Sequence, residues 1–563
     1  CRAQSVNSEP GGGDVAAQKA LLLADLQSLE IVSAKLDKPL ARAAAVAEIA
    51  SAAWTLDDEW SKKLLREAYE LTLPEEKERE SLRAIKIGAP LTFAGGDERA
   101  RNVVRHRVLE VAGRDKAFAD ELITFGGQQL GAREQHYNYA QLASQAARGG
   151  DLATAGDYAM RALDAEPTIL NAGTAIAQVA TRDRGAADQL ILRYIERLRS
   201  LPLSLRDDST RAIFLLDMLI LYYKEPFFRA PSDESEAAMY RQTPPPGAEV
   251  MRAYVGYVIE SMSDMERREP GSSQRLRGHL GLIWSPLRRY APELTPAFTE
   301  LERLSRKPGS DDSLPSLERR MEDYEKQYER RVKDALASDY PDEMVIQSII
   351  SHGDFAKAHK LIDKLPDGAQ KTQLLETINA REALALLAKG DEAGAEQLAE
   401  RLQNASFILQ VYPSLLKACV AAKDQGCATR VVYQAVRQLK RADTTPPALP
   451  EGIPAAAMVS NREIDRALLS LSQLAAQVAP FNEILALELS DEIVAAANRS
   501  EVDTGQGRTG FDAGVFKALA ARNEPRARQA AEGFKDRLRQ IVAFAAIDQA
   551  KAEALNKNSK PKS

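Results

Sequence analysis

Apolar positions along the chain recur every three or four residues, the spacing that is typical of α-helices. One such stripe, near the N-terminus, consists of Trp60, Leu64, Ala68 and Leu71. Thr55, with Asp58 three residues later, resembles a capping box that begins this helix, and Pro74 ends it. The same spacing continues from residue 14 almost to the end, in a chain rich in Ala, Leu, Glu, Arg and Gln. The sequence therefore predicts an all-α protein.

A Gly-Asp dipeptide recurs between helical segments, at Gly150–Asp151, Gly353–Asp354 and Gly390–Asp391. An alanine follows five residues after each of these glycines, and the last two dipeptides lie 37 residues apart. Glycine is suited to the end of one helix, and an aspartate caps the backbone N–H groups of the next. We therefore predict that each dipeptide is the corner of a helix hairpin, and that its aspartate is a cap and not a catalytic group.

The residues around the first corner that carry a family resemblance are Tyr139, Leu142, Ala143, Ala155, Ala162 and Pro167. Their spacing resembles the tetratricopeptide repeat, in which an aromatic, a leucine and small residues pack two helices closely together. Ala146 and Ala159 depart from the family, where aromatic residues are usual. The resemblance implies an elongated array of antiparallel helix hairpins, a tetratricopeptide-like α-solenoid with a long concave surface.

Proline-rich stretches interrupt the helical pattern and give the expected domain boundaries. The predicted segments are a flexible tether at 1–13, N-terminal helical repeats at 14–229, a proline-rich loop at 230–247, central helices at 248–304, a linker at 305–315, tetratricopeptide-like repeats at 316–441, a second proline-rich loop at 442–454, C-terminal helices at 455–555 and a basic tail at 556–563.

Charge and hydropathy narrow the possible partners. The net charge is −6, and both signs are mixed along the chain, which argues against a nucleic-acid partner because such a surface needs clustered basic residues. The longest apolar run, residues 212–223, is short and contains Asp217, so it indicates a buried helix and not a membrane span.

Sites for a cofactor or a metal are not indicated. Gly505, Gly507 and Gly510 have the spacing of a dinucleotide-binding loop, but a helical pattern and not a strand precedes them, so we predict a flexible interhelical loop. The five histidines lack the spacing of metal ligands. No catalytic residue, cofactor or metal is therefore assigned.

Three cysteines leave two questions open. Cys419 and Cys427 lie eight residues apart around a turn; we favour two buried thiols, with a disulfide as the alternative in an oxidising compartment.

Cys1, followed by a polar, glycine-rich stretch, resembles the N-terminus of a processed bacterial lipoprotein, in which this thiol carries a lipid. A remnant of a signal-peptidase site and an arbitrary chain boundary are the other interpretations. The first two favour an exported protein, periplasmic or anchored to the membrane only through Cys1.

Aromatic residues are scarce, and a few of them are candidate contacts for a partner. These are Tyr139, Tyr222, Tyr223, Phe227 and Phe228. A loop folded onto its own helix ends is the competing interpretation for residues 222–228. Our hypothesis is a non-enzymatic scaffold of the bacterial cell envelope that binds a protein or peptide on its concave surface. The alternatives are an all-helical enzyme acting on envelope polysaccharide and a helical module that senses a small ligand.

Overall fold

The protein is all-α, as the sequence predicts. The structure, a computed structural model, describes residues 12–83, 96–166, 171–200, 244–268, 277–305, 329–338, 341–351, 353–441, 460–500 and 502–559, together with residues 212, 213, 216, 219 and 220. Helices, turns and short loops account for all of these residues, without a strand among them. None of the helices in this described part is long and apolar enough to cross a membrane.

The α-helices, in chain order, are α1 (Gly12–Ser33), α2 (Pro39–Ala53), α3 (Asp58–Leu71), α4 (Glu76–Arg83), α5 (Gly96–Ala112), α6 (Lys116–Leu130), α7 (Ala132–Gly149), α8 (Leu152–Ala165), α9 (Asn171–Ala180), α10 (Arg184–Ser200), α11 (Ala248–Arg268), α12 (Arg277–Tyr290), α13 (Thr295–Leu304), α14 (Glu343–Ser351), α15 (Phe355–Asp363), α16 (Ala369–Ala388), α17 (Glu392–Ala399), α18 (Ala405–Ala421), α19 (Gln425–Arg441), α20 (Ser460–Val478), α21 (Glu483–Arg499), α22 (Gly514–Glu532) and α23 (Arg537–Ser559). Two 3-10 turns lie at Pro292–Leu294 and Thr504–Gln506.

The chain divides into two compact units. Unit 1 contains residues 1–72, 95–108 and 328–563, and unit 2 contains residues 73–94 and 109–327. The N-terminal and C-terminal segments thus belong to the same unit, which no local sequence pattern indicates. The predicted linkers at 230–247, 305–315 and 442–454 lie mostly or wholly outside the described residues, so they stay predictions.

Unit 1 is built from helix hairpins whose first helices pack on one another. In chain order, α14, α16, α18, α20 and α22 each contact the next, and each packs against the helix that follows it. The N-terminal helices α1 and α2 then pack on α23, and the Asn556 side chain donates a hydrogen bond to the Thr55 carbonyl at 3.2 Å. Unit 2 repeats the arrangement, with α7 on α9 and α8 on α10. The protein is therefore a helical-repeat protein, as expected.

The predicted Gly-Asp corners are confirmed. Gly150, Gly353 and Gly390 adopt left-handed backbone angles, with φ of 90°, 75° and 80°. The next residue in each corner, Asp151, Asp354 or Asp391, accepts a hydrogen bond from a backbone N–H of the following helix at 2.9 to 3.3 Å. The alanine five residues beyond each glycine is fully buried where the two helices meet.

A fourth corner has the same geometry without a glycine. Lys423 is left-handed, with φ of 57°, and Asp424 accepts a hydrogen bond from the Cys427 N–H at 2.9 Å. Ala428, five residues after Lys423, is buried in the same way as its counterparts. The hairpin corner thus tolerates a lysine in a conformation that favours glycine.

Two sequence expectations need correction. The cap of α3 is Asp57, which accepts from the Trp60 N–H at 2.9 Å, and not Thr55, because the helix begins later than the pattern indicated. The loop containing Gly505, Gly507 and Gly510 does join two helices, α21 and α22, but it is packed against other elements. The Arg539 guanidinium, almost fully buried, donates to the Thr509 carbonyl at 3.0 Å and holds this loop in place.

Adjacent glycines in the first corner allow a direct test of the corner geometry. Gly149 is the last residue of α7 and has open space around it, so Gly149→Ala should stabilise the protein by up to about 1 kcal/mol through helix propensity. Gly150→Ala should destabilise it by about 1 kcal/mol, because alanine disfavours the left-handed angles. Chemical denaturation of the two variants measures the difference. Effects of the same sign would contradict the assigned corner.

Candidate functional surface

The four equivalent corners give their hairpins a common register. Counting back from the left-handed residue, positions 7 and 11 residues earlier point into the core. The side chains 7 residues before are Ala143, Ile346, Ala383 and Leu416, and all four are buried. Those 11 residues before, where the helix extends that far, are Tyr139, Asn379 and Tyr412, and these three are buried as well.

Tyr139 therefore occupies a core position of its hairpin. Its exposed fraction is 7%, so only a small part of the ring is accessible to a partner. The physical reason is the register, since Tyr412 holds the same place in another hairpin and is completely buried. A direct contact between Tyr139 and a partner stays an untested prediction.

Around Tyr139 the structure brings together a polar and aromatic cluster from α6, α7 and α8. The rings of Tyr139 and Tyr158 stack with centroids 5.9 Å apart, and the Arg161 guanidinium lies over both rings at 5.8 and 5.9 Å. Arg161 also pairs with Asp120 at 2.9 Å, and Lys116 pairs with Asp157 at 2.9 Å. Burial raises the pKa of the Tyr158 hydroxyl. With its charges paired and its rings covered, the cluster stabilises the packing of three helices.

An ion pair and a hydrogen bond connect two successive second helices elsewhere. Between α17 and α19, Arg430 donates to Glu396 at 2.8 Å and Gln434 donates to Glu400 at 2.8 Å. Both pairs are separated by 34 residues, close to the 33 residues between the Gly390 and Lys423 corners. The hydrogen bond from Arg430 lowers the pKa of Glu396. The second helices thus use many of their polar side chains to hold neighbouring repeats together.

The first helices present a different surface. Positions 13, 9 and 6 residues before each left-handed residue are exposed or half-buried wherever they are described. In unit 1 these positions form a surface that we call the first-helix face, whose members are Met344 and Gln347 on α14, Thr377, Arg381 and Leu384 on α16, and Gln410, Ser414 and Lys417 on α18. Equal offsets place these side chains on the same side of each helix, and α14, α16 and α18 pack in succession. The three sets therefore lie in adjacent rows.

The chemistry of the first-helix face suits recognition more than catalysis. Its two charged members, Arg381 and Lys417, are both basic, and its eight positions include no carboxylate. Met344 is 79% exposed and offers an apolar contact. Glutamine, serine and threonine supply hydrogen-bond donors and acceptors. Sequence analysis missed these residues, although counting back from each Gly-Asp corner would have found those of α14 and α16.

In unit 2 the same offsets select Tyr137, Gln141 and Ser144 on α7, all half-buried. Tyr137, two residues from the predicted Tyr139, is thus the aromatic side chain that faces outward here. Neighbouring His136 is fully buried, and desolvation lowers its pKa to about 4. Its Nδ1 lies 2.8 Å from the Ala162 carbonyl, so it is a structural link between α7 and α8.

The other candidate residues include five outside the described part of the chain and the two remaining cysteines. Tyr222, Tyr223, Phe227, Phe228 and Cys1 lie outside the described residues, so their predicted roles stay predictions. The structure joins Cys419 and Cys427 in a disulfide, where we had favoured two thiols. The residues lie on two antiparallel helices that meet at the Lys423 corner, which brings their Cα atoms to 5.6 Å.

Two features bear on metal or acid–base chemistry in the described part of the chain. No cluster of three potential metal ligands occurs there. Asp548 has a pKa raised by burial to about 6, but its side chain is only 1% exposed and pairs with Arg528. It therefore does not offer the accessible acid that hydrolysis of a polysaccharide would require.

Comparison with known proteins adds little to this description. No protein-family model matches the chain, and no curated protein matches it. Among solved structures, it aligns with a "Circular tandem repeat protein with novel repeat topology and enhanced subunit contact surfaces" at 12% identity. The alignment covers 95% of this chain and 99% of that one, with a TM-score of 0.14. Because the TM-score is so low, the helical-repeat description rests on the hairpins themselves.

Proposed function

We propose that this protein is a non-enzymatic, tetratricopeptide-like scaffold that binds a segment of a partner protein on the first-helix face. The observation that carries the proposal is the shared register, which aligns Met344, Arg381 and Ser414 at the same offset in three successive hairpins. An extended segment crossing α14, α16 and α18 would meet one row of side chains after another. The Arg430–Glu396 ion pair and the Gln434–Glu400 hydrogen bond join neighbouring second helices, which supports a structural role for the opposite side of the hairpins.

The side chains define the kind of segment. Arg381 and Lys417 favour acidic residues in the partner, and Met344 and Leu384 favour apolar ones. The amide of Gln410 is suited to bonding with an extended backbone. An acidic segment with interspersed apolar residues therefore fits this surface.

We further propose that the protein works outside the cytoplasm, in the bacterial cell envelope. The Cys419–Cys427 disulfide supports this location, because disulfides persist in oxidising compartments. A lipid on Cys1 belongs to the same proposal, and mass spectrometry of the protein from its source cells tests it.

The binding proposal predicts a charge-dependent selectivity. We expect the full-length protein to enrich acidic sequences from a library of 12-residue peptides with randomised Asp, Glu, Lys, Arg, Leu and Met positions. Lys417→Glu should weaken selected acidic peptides by about tenfold, the usual size of one lost charge pair with its reversal, and should shift enrichment toward basic peptides. Peptide titration at low and physiological salt measures both effects.

Lys389→Glu is the matched control, because Lys389 is exposed at the end of α16 but lies outside the first-helix face. It should leave peptide binding unchanged. Equal losses in Lys417→Glu and Lys389→Glu, or an unselective library, would contradict binding on this face.

A further inference from the structure

The Lys423 corner differs from the three glycine corners in two respects at once. Its left-handed residue carries a side chain, and a disulfide spans it. L-residues disfavour left-handed backbone angles, whereas glycine adopts them freely. Because Gly150, Gly353 and Gly390 are glycines, those corners carry no comparable cost.

The disulfide joins the two residues that the corner itself brings together. The Asp424 N–H donates to the Cys419 carbonyl at 3.0 Å, and the Cys427 N–H donates to the Asp424 carboxylate at 2.9 Å. In the Gly390 corner the equivalent bonds join Asp391 to Leu386 and Gly394 without a covalent link. The cysteines therefore hold closed the same hydrogen-bonded turn that glycine stabilises in the other hairpins.

We infer that the Cys419–Cys427 disulfide fastens the Lys423 corner, and that its reduction by a dithiol selectively loosens the hairpin of α18 and α19. Cys419 is 1% exposed and Cys427 8%, so a reductant reaches the bond only when the corner opens. Reduction then removes the constraint that favours reclosure. The disulfide is therefore a redox-sensitive constraint on α18, the helix that carries Gln410, Ser414 and Lys417.

The reaction is a thiol–disulfide exchange. One thiolate of the dithiol attacks Sγ of Cys427, the bond between the two cysteine sulfurs breaks, and Cys419 leaves as a thiolate that takes up a proton. The second thiol of the reductant then displaces Cys427, which also becomes a thiol. Two electrons pass from the dithiol to the protein, and the reductant ends as a cyclic disulfide.

Hydrogen exchange on the full-length protein tests the inference, with dithiothreitol as the reductant. On reduction, amides of residues 419–428 should exchange about tenfold faster, while those around the Gly390 corner stay unchanged. Lys423→Gly should abolish most of this acceleration, because the corner then no longer needs the disulfide. The cysteine-free variant Cys419→Ala/Cys427→Ala should exchange at the rate of the reduced protein and ignore the reductant.

Three results would overturn the inference. Alkylation of both cysteines without prior reduction would show that the disulfide does not form. Reduction, verified by mass, with unchanged exchange at residues 419–428 would show that it does not hold the corner. Equal acceleration on reduction in the wild-type protein and in Lys423→Gly would show that the lysine and the disulfide are unconnected. None of these measurements depends on a binding partner.

Discussion

Replacing Gly507 with alanine should destabilise unit 1 by at least about 3 kcal/mol. Gly507 has a φ of 72°, and a Cβ on it would lie 2.7 Å from the Leu40 carbonyl oxygen and 2.9 Å from Val104 Cγ2. The first neighbour is backbone and cannot rotate away, so the loop, α2 or α5 must move. Urea unfolding followed by circular dichroism measures the loss in the free energy of unfolding.

Gly353→Ala separates the two causes of this loss. Gly353 is also left-handed, with φ of 75°, but a Cβ there would meet nothing within 4 Å. It should cost only about 1 kcal/mol, the backbone contribution alone. If Gly353→Ala and Gly507→Ala were equally destabilising, the close approach of the loop to Leu40 would be refuted.

Asp548→Asn should stabilise the protein by up to about 3 kcal/mol at pH 7 to 8. The Asp548 carboxyl is buried beneath α22, which raises its pKa from 3.8 to about 6, and its Oδ2 has no hydrogen-bond partner among the described residues. Arg528 and Lys551 oppose this rise and Asp25 adds to it, so these neighbours offset only part of the desolvation. Arg528 keeps Glu524 as a partner at 2.9 Å when asparagine replaces Asp548.

Proton linkage decides how the contribution of Asp548 to the free energy of unfolding changes with pH. The folded protein binds the Asp548 proton more tightly than the unfolded chain, so this residue favours folding fully below about pH 4 and loses that contribution as the pH rises through about 6. The benefit of Asp548→Asn should therefore be absent at pH 4 and complete above pH 6. Denaturation across this range measures it.

Asp367→Asn is a suitable control for Asp548→Asn, because the Asp367 side chain is 98% exposed and pairs with Lys371 on the surface. It should change stability by no more than a few tenths of a kcal/mol at any pH. A gain from Asp548→Asn that did not vary with pH would argue against the raised pKa.

Local signals in the sequence predicted the helix corners, but they did not predict contacts between segments that are distant in the chain. A Gly-Asp dipeptide specifies both a left-handed residue and a cap within a few residues, so the turns at Gly150, Gly353 and Gly390 could be predicted. The Lys423 corner lacks the glycine signal, although its geometry is the same. The packing of α1 and α2 on α23 joins residues about 500 positions apart, and no periodicity encodes such a pairing.

The candidate surface was harder to predict than the fold. Tyr139 was selected because it is aromatic. The exposure of a side chain, however, depends on its position relative to the corner, and this position places Tyr139 in the core. Polar and basic residues such as Gln410 and Lys417 are common on any helix, so they become a surface only once several hairpins share a register. The sequence left the Cys419–Cys427 disulfide as the less favoured alternative, because a spacing of eight residues does not by itself fix the direction of two helices.

Because α1 and α2 pack on α23, they complete their packing only after α23 has been synthesised. During synthesis, residues 12–72 emerge long before their packing partner at residues 537–559. All of unit 2 lies between them in the chain and can mature in the meantime. The apolar surfaces of α1 and α2 that pack on α23 therefore stay exposed until residues 537–559 are synthesised. We expect a chaperone to bind these surfaces in the meantime. A nascent chain truncated before residue 537 should stay sensitive to protease at its beginning, and release of the complete chain should protect it.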